Sequence, residues 1–187
     1  MTLKIVQLDT VGSTNDYALD LISDMTRKHA TTDATEWVDI AVLADMQTAG
    51  RGRMNSRTWI STRGNFHCSY IINLDKLGLQ EHGTAGLNPI VLHAIVTLLT
   101  RLGSETDAIS IKAPNDVMIH DKKISGVLIE TSYPHAVIGI GINTVVAPIQ
   151  TSTSILKAFG IQVSNTDIAT QLHSIITAEC SVCCNIT

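Results

Sequence analysis

The sequence lacks the features that mark secreted and membrane-spanning proteins. Its start, MTLKIVQLDT, has neither the basic front nor the unbroken apolar core of a signal peptide. Its longest apolar run, Pro89 to Leu99, is interrupted by His93 and is well short of the roughly 20 residues that cross a bilayer. We therefore expect a cytoplasmic protein with no membrane partner.

Cysteine is also scarce, and three of the four cysteines crowd the C-terminus, at Cys180, Cys183 and Cys184. Such a cluster can form half of a metal site, but a tetrahedral site takes four ligands, usually from two clusters. The sequence offers no second Cys or His pair at matching spacing. We predict ordinary thiols here, and Cys68 stands alone in an apolar run without a partner for acyl chemistry.

Charged residues make up only 16% of the chain against 44% apolar residues, which is typical of one globular domain, here residues 1–187. The net charge of -4 excludes the extended basic face that generic nucleic-acid binding needs, so no DNA partner is expected. One segment departs from this balance. Between Met46 and Leu74 there is no Asp or Glu, yet the segment contains Arg51, Arg53, Arg57 and Arg63. This local excess of positive charge predicts a small anionic ligand.

The apolar pattern predicts an α+β fold, with a mixed, largely antiparallel sheet and helices packed on it. Several strand patterns follow one another with tight connections, such as the turn at His120 to Lys122. Predicted strands are Lys4–Asp9, Ile40–Ala44, Phe66–Leu74, Ile109–Lys112, Val117–His120, Ile124–Thr131 and Ala136–Ile142. Predicted helices run from Ser13 to about Met25, from about Gly86 to Leu102, and from Asn165 or Thr166 to about Glu179.

The segment Gly50 to Arg53 alternates glycine with arginine. Glycine lets backbone N–H groups approach a ligand, and the arginine side chain offers a planar fork of donors to phosphate or carboxylate. A solvated surface loop is an equally good explanation of this segment by itself. A second polar segment, GSTN, places Ser13 as a helix N-cap, with Thr14 and Asn15 able to orient an uncharged polar ligand.

Two lysine-bearing segments follow. In KAPNDV, Pro114 ends a strand after Lys112, and Asn115 and Asp116 form a turn. We predict that Lys112 is partly buried and needs an anionic partner. In DKKISG, Lys122 and Lys123 point to opposite faces of a strand, and one of them faces the space that Gly126 opens.

Glycine alternates with isoleucine in IGIGIN, Ile138 to Asn143. This leaves one face of a strand bare and predicts a flat groove for a planar ligand. The segment is not a dinucleotide-binding fingerprint, because the third glycine and the following helix are missing, and the chain has no P-loop.

Taken in order, the segments GSTN, QTAGRGR with a following Trp, KAPND, KISGVLIE and GIGIN resemble the catalytic domain of the biotin–protein ligases. The resemblance implies a class II synthetase-like fold and a two-step reaction. Biotin and ATP, with Mg²⁺, give biotinyl-5′-adenylate, and a lysine of a biotin carboxyl carrier protein domain then displaces AMP. A homodimer is possible in this family.

The resemblance also assigns roles to residues. Lys123, Arg53 and Lys112 are the expected catalytic cations. Expected biotin contacts are Ser13, Thr14, Asn15, Gln47, Gly50, Arg51, Gly52, Arg53, Lys123, Gly126 and Gly139. Expected ATP contacts are Arg51, Arg53, Trp59, Lys112, Asn115, Asp116, Lys123 and Asn143, with Gly141 in the sheet floor and Asp116 as a metal ligand.

The sequence departs from the family pattern in two segments. Ala113 replaces the usual Trp of KWPND, and the arginine loop is one residue longer before Trp59. We also expect neither an N-terminal DNA-binding helix-turn-helix nor a complete C-terminal β-barrel. Two other functions remain open: a lipoate ligase or octanoyl transferase, and a degenerate module that binds biotin without catalysis.

Overall fold

Seven strands form one sheet in the computed structural model, which describes residues 2–29, 38–53, 58–77, 83–103 and 105–184. The strand order is β1-β2-β3-β7-β6-β5-β4. Only β1 and β2 pair in parallel, and every other pairing is antiparallel. The predicted mixed, largely antiparallel sheet is confirmed. The strands are β1 Leu3–Val11, β2 Asp39–Gln47, β3 Phe66–Asn73, β4 Ile109–Lys112, β5 Asp116–Ile119, β6 Lys122–Ser132 and β7 His135–Ile142.

Four α-helices accompany the sheet in the described residues: α1 Thr14–His29, α2 Gly83–Arg101, α3 Ile155–Phe159 and α4 Asn165–Cys184. Three of them were predicted, with ends that differ by a few residues. The short α3 was not predicted, because five residues show too little periodicity. Its signals are local: Ser154 caps its N-terminus through a hydrogen bond from the Lys157 N–H (3.2 Å), and Gly160 ends it in the left-handed conformation. In the described residues, no helix is both long and apolar enough to span a membrane.

The two faces of the sheet are covered differently. On one face, α2 and α4 pack over a continuous apolar layer that includes Ile138, Ile140 and Ile142 of β7. On the other face, α1 packs with Ala18 and Ile22 against a smaller cluster formed by Ile40, Val42, Ile71 and Val137. Alternate residues of a strand point to opposite faces, so Gly139 and Gly141 share the second face with Val137. The start of α1 reaches Gly139 through the Asn15 side chain, and Gly141 lies beyond the cover of α1.

The turn between β5 and β6 and a bulge beside it place Lys123. His120 and Asp121 both have positive φ angles, 44° and 60°, as a two-residue hairpin turn requires. Beyond the turn, Met118 pairs with Lys123 but Val117 pairs with Ser125, so Ile124 is an extra residue in β6. A bulge of this kind reverses the alternation of side chains. Lys123 consequently lies on the same face as Gly126, three residues away.

Buried polar contacts dock α4 on the sheet. Tyr70 of β3 donates a hydrogen bond from its hydroxyl to the Ala169 carbonyl oxygen (2.9 Å) and stacks on the His173 ring. The other side of His173 reaches β2, where its Nε2 lies 2.8 Å from Asp39 Oδ2. Both partners of this pair are almost fully buried, with side chains 5% and 3% exposed.

We predict that Asp39→Ala and His173→Ala each lower the free energy of unfolding by about 3 kcal/mol, because each removes one side of a buried polar pair. The double variant should lose clearly less than the sum of the two. Urea denaturation followed by circular dichroism measures these values. Tyr70→Phe, which deletes one hydrogen bond, serves as a reference at about 1 kcal/mol. Strictly additive losses would show that the two side chains do not stabilise each other.

Candidate functional site

A row of register partners crosses the open half of the second sheet face. From β4 to β3 the row consists of Lys112, Asp116, Gly126, Gly141 and His67. Directly paired residues of neighbouring strands lie on one face of a sheet. The two glycines at the centre leave a bare backbone floor, with a lysine and a carboxylate on one side and an imidazole on the other. The flat groove expected from the glycine pattern is therefore present.

The chain's own Trp59 lies on this floor. A Cβ atom added to Gly141 would be 2.5 Å from two atoms of the indole ring, and one added to Gly126 would be 3.3 Å from a third. The Trp59 Nε1 is buried and has no hydrogen-bond partner among the described residues. Trp59 ends the arginine loop, which begins at Gly50. Two contacts join the ends of this loop: the Trp59 N–H donates to the Gly50 carbonyl (3.0 Å), and Arg51 forms a β-bridge with Thr58. The planar group in the groove is thus the Trp59 indole.

A narrow pocket with about 60 Å³ of free volume lies between the start of α1 and the glycine floor. Its polar end is neutral. The Gln47 Oε1 accepts hydrogen bonds from the Thr14 N–H (2.8 Å) and hydroxyl (3.1 Å), while Ser13 and Asn15 line the adjoining wall. The Gln47 Nε2 makes no hydrogen bond within the described part of the chain, and it is a donor available to a ligand. This pocket suits an uncharged polar ring.

A wider cleft of about 820 Å³ adjoins the narrow pocket. Arg53, Lys112 and Lys123 line it, and Asp116 is the single carboxylate among its lining residues. The Lys123 Nζ lies 2.7 Å from Asp116 Oδ1 and 5.6 Å from the centre of a Trp59 ring. The excess of positive charge suits a polyanion. Four residues line both the pocket and the cleft: Gly52, Trp59, Asn115 and Lys123.

Arg51 lines the narrow pocket, and its guanidinium group forms ion pairs with two carboxylates of the protein. Its two terminal nitrogens donate to the two carboxylate oxygens of Glu130 at 3.0 and 2.7 Å, and one of them also donates to Asp16 at 2.6 Å. Hydrogen bonding to Glu130 is the main cause that raises the pKa of Arg51 above its ordinary value. Contact of Arg51 with phosphate stays a prediction, and in this structure its terminal nitrogens pair with two carboxylates.

Four other expectations meet a different arrangement. Lys112 is exposed rather than partly buried, because β4 is the outermost strand of the sheet. Asn143 is 2% exposed, and its amide donates to the carbonyls of Thr153 (3.0 Å) and Lys123 (3.4 Å). Gly50 lies under the Trp59 backbone. Arg63 pairs with Asp9 at the surface (2.8 Å), and Arg57 is outside the described residues.

Three residues with structural roles at the site were not predicted: Ser69, Glu130 and His67. The Ser69 hydroxyl contacts the Thr14 Oγ1 (2.7 Å) and the Asn15 Oδ1 (2.5 Å). Glu130 accepts from the Asn15 Nδ2 at 2.8 Å. Burial lowers the pKa of His67 to about 4, so this imidazole is neutral at pH 7 and adds no charge to the site. The sequence signal for these residues was a polar side chain at a position of an apolar strand where an apolar side chain is expected.

The described residues contain no cluster of three or more His, Cys, Asp or Glu side chains that could hold a metal ion. Mg²⁺ commonly binds proteins through one or two carboxylates and takes its other ligands from nucleotide phosphates and water. Asp116 fits the role of such a single carboxylate ligand. Burial raises the pKa of the Cys68 thiol, so Cys68 is protonated at neutral pH and is not an acyl nucleophile. The Cys183 and Cys184 side chains lie outside the described part of the structure.

Comparison with known proteins agrees with this geometry. The chain is 31% identical over 147 residues to the biotin–[acetyl-CoA-carboxylase] ligase of Mycobacterium tuberculosis, an alignment that covers 76% of this chain and 51% of that protein. The chain thus spans about half the length of the curated relatives it matches.

Solved structures are similar as well. The Leishmania major biotin protein ligase in complex with biotinyl-5-AMP has a TM-score of 0.69 at 28% identity, covering 95% of this chain and 75% of that one. The Aquifex aeolicus biotin protein ligase in complex with biotin and ATP has a TM-score of 0.64 at 25% identity, covering 95% and 70%. Residues 23–143 match the model of the Biotin/lipoate A/B protein ligase family, and the chain belongs to that family.

Proposed function

We propose that this protein is an ATP-dependent biotin–protein ligase. It joins biotin to AMP and then transfers the biotinyl group to a lysine of a biotin carboxyl carrier protein domain. The observation that carries the proposal is the position of Lys123, which lines both the neutral pocket and the cationic cleft. A carboxylate that extends from the pocket meets a phosphate that enters from the cleft at this one ammonium group.

The narrow pocket matches the neutral ureido ring of biotin. An ureido ring presents one carbonyl acceptor and two N–H donors, and the pocket offers the Ser13 and Thr14 hydroxyls with the amides of Asn15 and Gln47. These groups carry no charge, as recognition of a neutral ring requires. The valerate carboxylate of biotin then points along Gly126 toward Lys123.

The wide cleft matches ATP. Arg53, Lys112 and Lys123 offset the charge of the triphosphate, and Asn115 adds a neutral polar contact. Mg²⁺, when bound through Asp116 and the phosphates, would screen the negative charge of the leaving pyrophosphate. The adenine ring needs a flat surface, which the Trp59 indole provides on one side.

No covalent enzyme intermediate is required. A biotin carboxylate oxygen attacks the α-phosphorus, a new O–P bond forms, and the bond from the α-phosphorus to pyrophosphate breaks. The carrier lysine, as a neutral amine, then attacks the biotinyl carbonyl carbon, a C–N bond forms, AMP leaves, and the amine loses a proton. The residues of this chain act by aligning two anions and offsetting their repulsion, with Lys123 nearest to both.

Trp59 must leave part of the floor before the substrates can occupy it. The indole lies against Gly141 and Gly126, and the pocket beside it has only about 60 Å³ of free volume. We propose that the arginine loop opens, admits biotin, and closes with Trp59 against the bound nucleotide. A closed loop then excludes water from the reactive mixed anhydride.

The relatives support the same reading. The similar Leishmania major structure holds biotinyl-5-AMP, and the similar Aquifex aeolicus structure holds biotin and ATP. The buried, protonated Cys68 gives no support to an octanoyl transferase, which needs an acyl-accepting nucleophile.

The direct test incubates the protein with ATP, Mg²⁺, biotin and a purified biotin carboxyl carrier protein domain, and measures the acceptor by intact-protein mass spectrometry. We expect the mass of one biotinyl group on one lysine. A lipoyl adduct formed in a parallel reaction with lipoate, with none from biotin, would replace the proposal with a lipoate ligase. Biotin binding without pyrophosphate release would identify a non-catalytic binding module.

We predict that Lys123→Met lowers the rate of biotinyl-adenylate formation by at least about 100-fold, because the crowded anionic oxygens lose the cation closest to them. Lys122→Met is the matched control, since Lys122 is adjacent but exposed to solvent. Pyrophosphate release measures both variants. Equal rates for the two variants would remove Lys123 from the mechanism.

We also predict that Gly141→Ala lowers pyrophosphate release by about tenfold or more, because its methyl group would lie 2.5 Å from the Trp59 ring and would raise the floor under both indole and substrate. Gly12→Ala is the control, since no atom lies within 4 Å of its added methyl group. In the Gly141→Ala background, Trp59→Ala should restore the melting temperature but not the activity. Full activity of Gly141→Ala would show that the floor does not contact substrate.

A further inference from the structure

His67 of β3 connects the segment that follows Trp59 to the end of β2. His67 is 1% exposed. Its Nδ1 atom lies 3.4 Å from the Ala44 carbonyl oxygen of β2, and its Nε2 atom lies 3.2 Å from the Ser61 hydroxyl oxygen. The Ser61 oxygen in turn accepts a hydrogen bond from the Gln47 N–H, at 2.8 Å. One buried side chain thus reaches, through Ser61, a residue that lines the narrow pocket.

The partners of the imidazole fix the direction of each hydrogen bond. Burial lowers the pKa of His67 to about 4, which keeps the ring neutral at pH 7. A carbonyl oxygen only accepts, so the neutral ring carries its hydrogen on Nδ1 and leaves Nε2 as an acceptor. The Ser61 hydroxyl therefore donates to Nε2, and its oxygen accepts from the Gln47 N–H. The three hydrogen bonds form a chain in which every donor has an acceptor.

This chain of hydrogen bonds serves the half of β2 that extends beyond its pairing with β3. In the described residues, β2 pairs with β3 only as far as Leu43, whereas its pairing with β1 continues to Gln47. Backbone groups beyond Leu43 therefore need other partners on the side of β3. The His67 ring serves the Ala44 carbonyl, and the Ser61 hydroxyl serves the Gln47 N–H. Two side chains thus replace a strand where β2 reaches the narrow pocket.

The position of the Gln47 backbone decides where its side-chain amide lies. Thr14 determines which way this amide points, because the Gln47 Oε1 accepts hydrogen bonds from the Thr14 N–H and hydroxyl. The Ser61 contact adds a second constraint, since it holds the backbone from which the Gln47 side chain extends. Together the two contacts place the Gln47 Nε2, the donor that this side of the pocket offers to a ligand.

We propose that His67 is a positioning residue, which holds Gln47 in place for the neutral ring of the substrate through the Ser61 hydroxyl. The identity of that substrate rests on the function proposed above. The His67 ring also lies edge-on to the Trp59 indole, with ring centroids 6.5 Å apart. A phenyl ring could keep that contact, whereas only a hydrogen-bond acceptor can hold the Ser61 hydroxyl. The role therefore depends on the Nε2 atom and not on the aromatic ring as such.

The test compares His67→Phe, His67→Gln, Ser61→Ala and the Ser61→Ala/His67→Phe double variant in the full chain. Phenylalanine keeps a ring but deletes both nitrogens, and a glutamine side chain returns an acceptor oxygen for the Ser61 hydroxyl. Tyr70→Phe is the control, because it removes a buried hydrogen bond from the same strand on the opposite face of the sheet. Biotin affinity is measured by calorimetry, and the KM for ATP by pyrophosphate release. The hydrogen-exchange rate of the Gln47 amide, measured by NMR, needs no substrate.

We expect His67→Phe and Ser61→Ala each to weaken biotin binding about tenfold and to speed exchange of the Gln47 amide about tenfold, because each breaks the chain of hydrogen bonds. His67→Gln should stay within about threefold of the wild type in both measurements. The double variant should bind biotin no more weakly than Ser61→Ala does. The KM for ATP should change less than about twofold in all four variants, and Tyr70→Phe should leave biotin affinity and Gln47 exchange unchanged.

Any of three results would overturn the role of His67: biotin affinity of Ser61→Ala or His67→Phe that matches Tyr70→Phe, equal biotin affinities of His67→Phe and His67→Gln, or losses that multiply in the double variant. Melting temperatures identify any variant that fails to fold, and Ser61→Ala decides the matter if His67→Phe does not fold. Failure of the proposed function is a separate result. If the wild type does not bind biotin, the function is wrong, while exchange of the Gln47 amide still decides whether His67 holds this residue.

Discussion

The site depends on a patch of β-sheet that carries no side chains at its centre. Gly126 and Gly141 are register partners on β6 and β7, and α1 covers only the neighbouring part of the same face. A bare patch of this kind exposes backbone and leaves apolar surface unburied, so something flat must cover it. That cover is the Trp59 indole. In the proposed reaction, the substrates and Trp59 would therefore compete for the same floor.

Some positively charged side chains at the site form ion pairs within the protein, and others do not. Arg51 forms ion pairs with Glu130 and Asp16. Lys123 pairs with Asp116, a contact that holds its ammonium group where the narrow pocket and the cleft meet. Lys112 and Arg53 make no ion pair within the described residues, and they are the cations most available to a triphosphate. The two arginines of the motif thus lie in different surroundings, because Arg51 pairs with carboxylates and Arg53 lines the cleft.

Much of the fold could be predicted because it is encoded locally. The Ile–Gly alternation of β7, the apolar stripe of α4 and the Ser13 cap of α1 are all visible within a few residues of sequence. The errors concern contacts between distant segments. Lys112 was expected to be partly buried, but it is exposed because β4 is an edge strand. Asn143 has the composition of a ligand contact, but it is surrounded by Asn65, Lys123 and Thr153, which come from three separate parts of the chain.

The sequence by itself determined the order of the strands and helices, the bare face of β7 and the presence of a local cluster of arginines, because these properties follow from side-chain alternation and composition. Only the tertiary structure decided where each cation lies and which groups it contacts. Strict alternation would place Lys122 on the face of Gly126, and the extra residue at Ile124 places Lys123 there instead. The partners of Arg51 lie 35 and 79 positions away in the chain, at a distance that no local pattern can report.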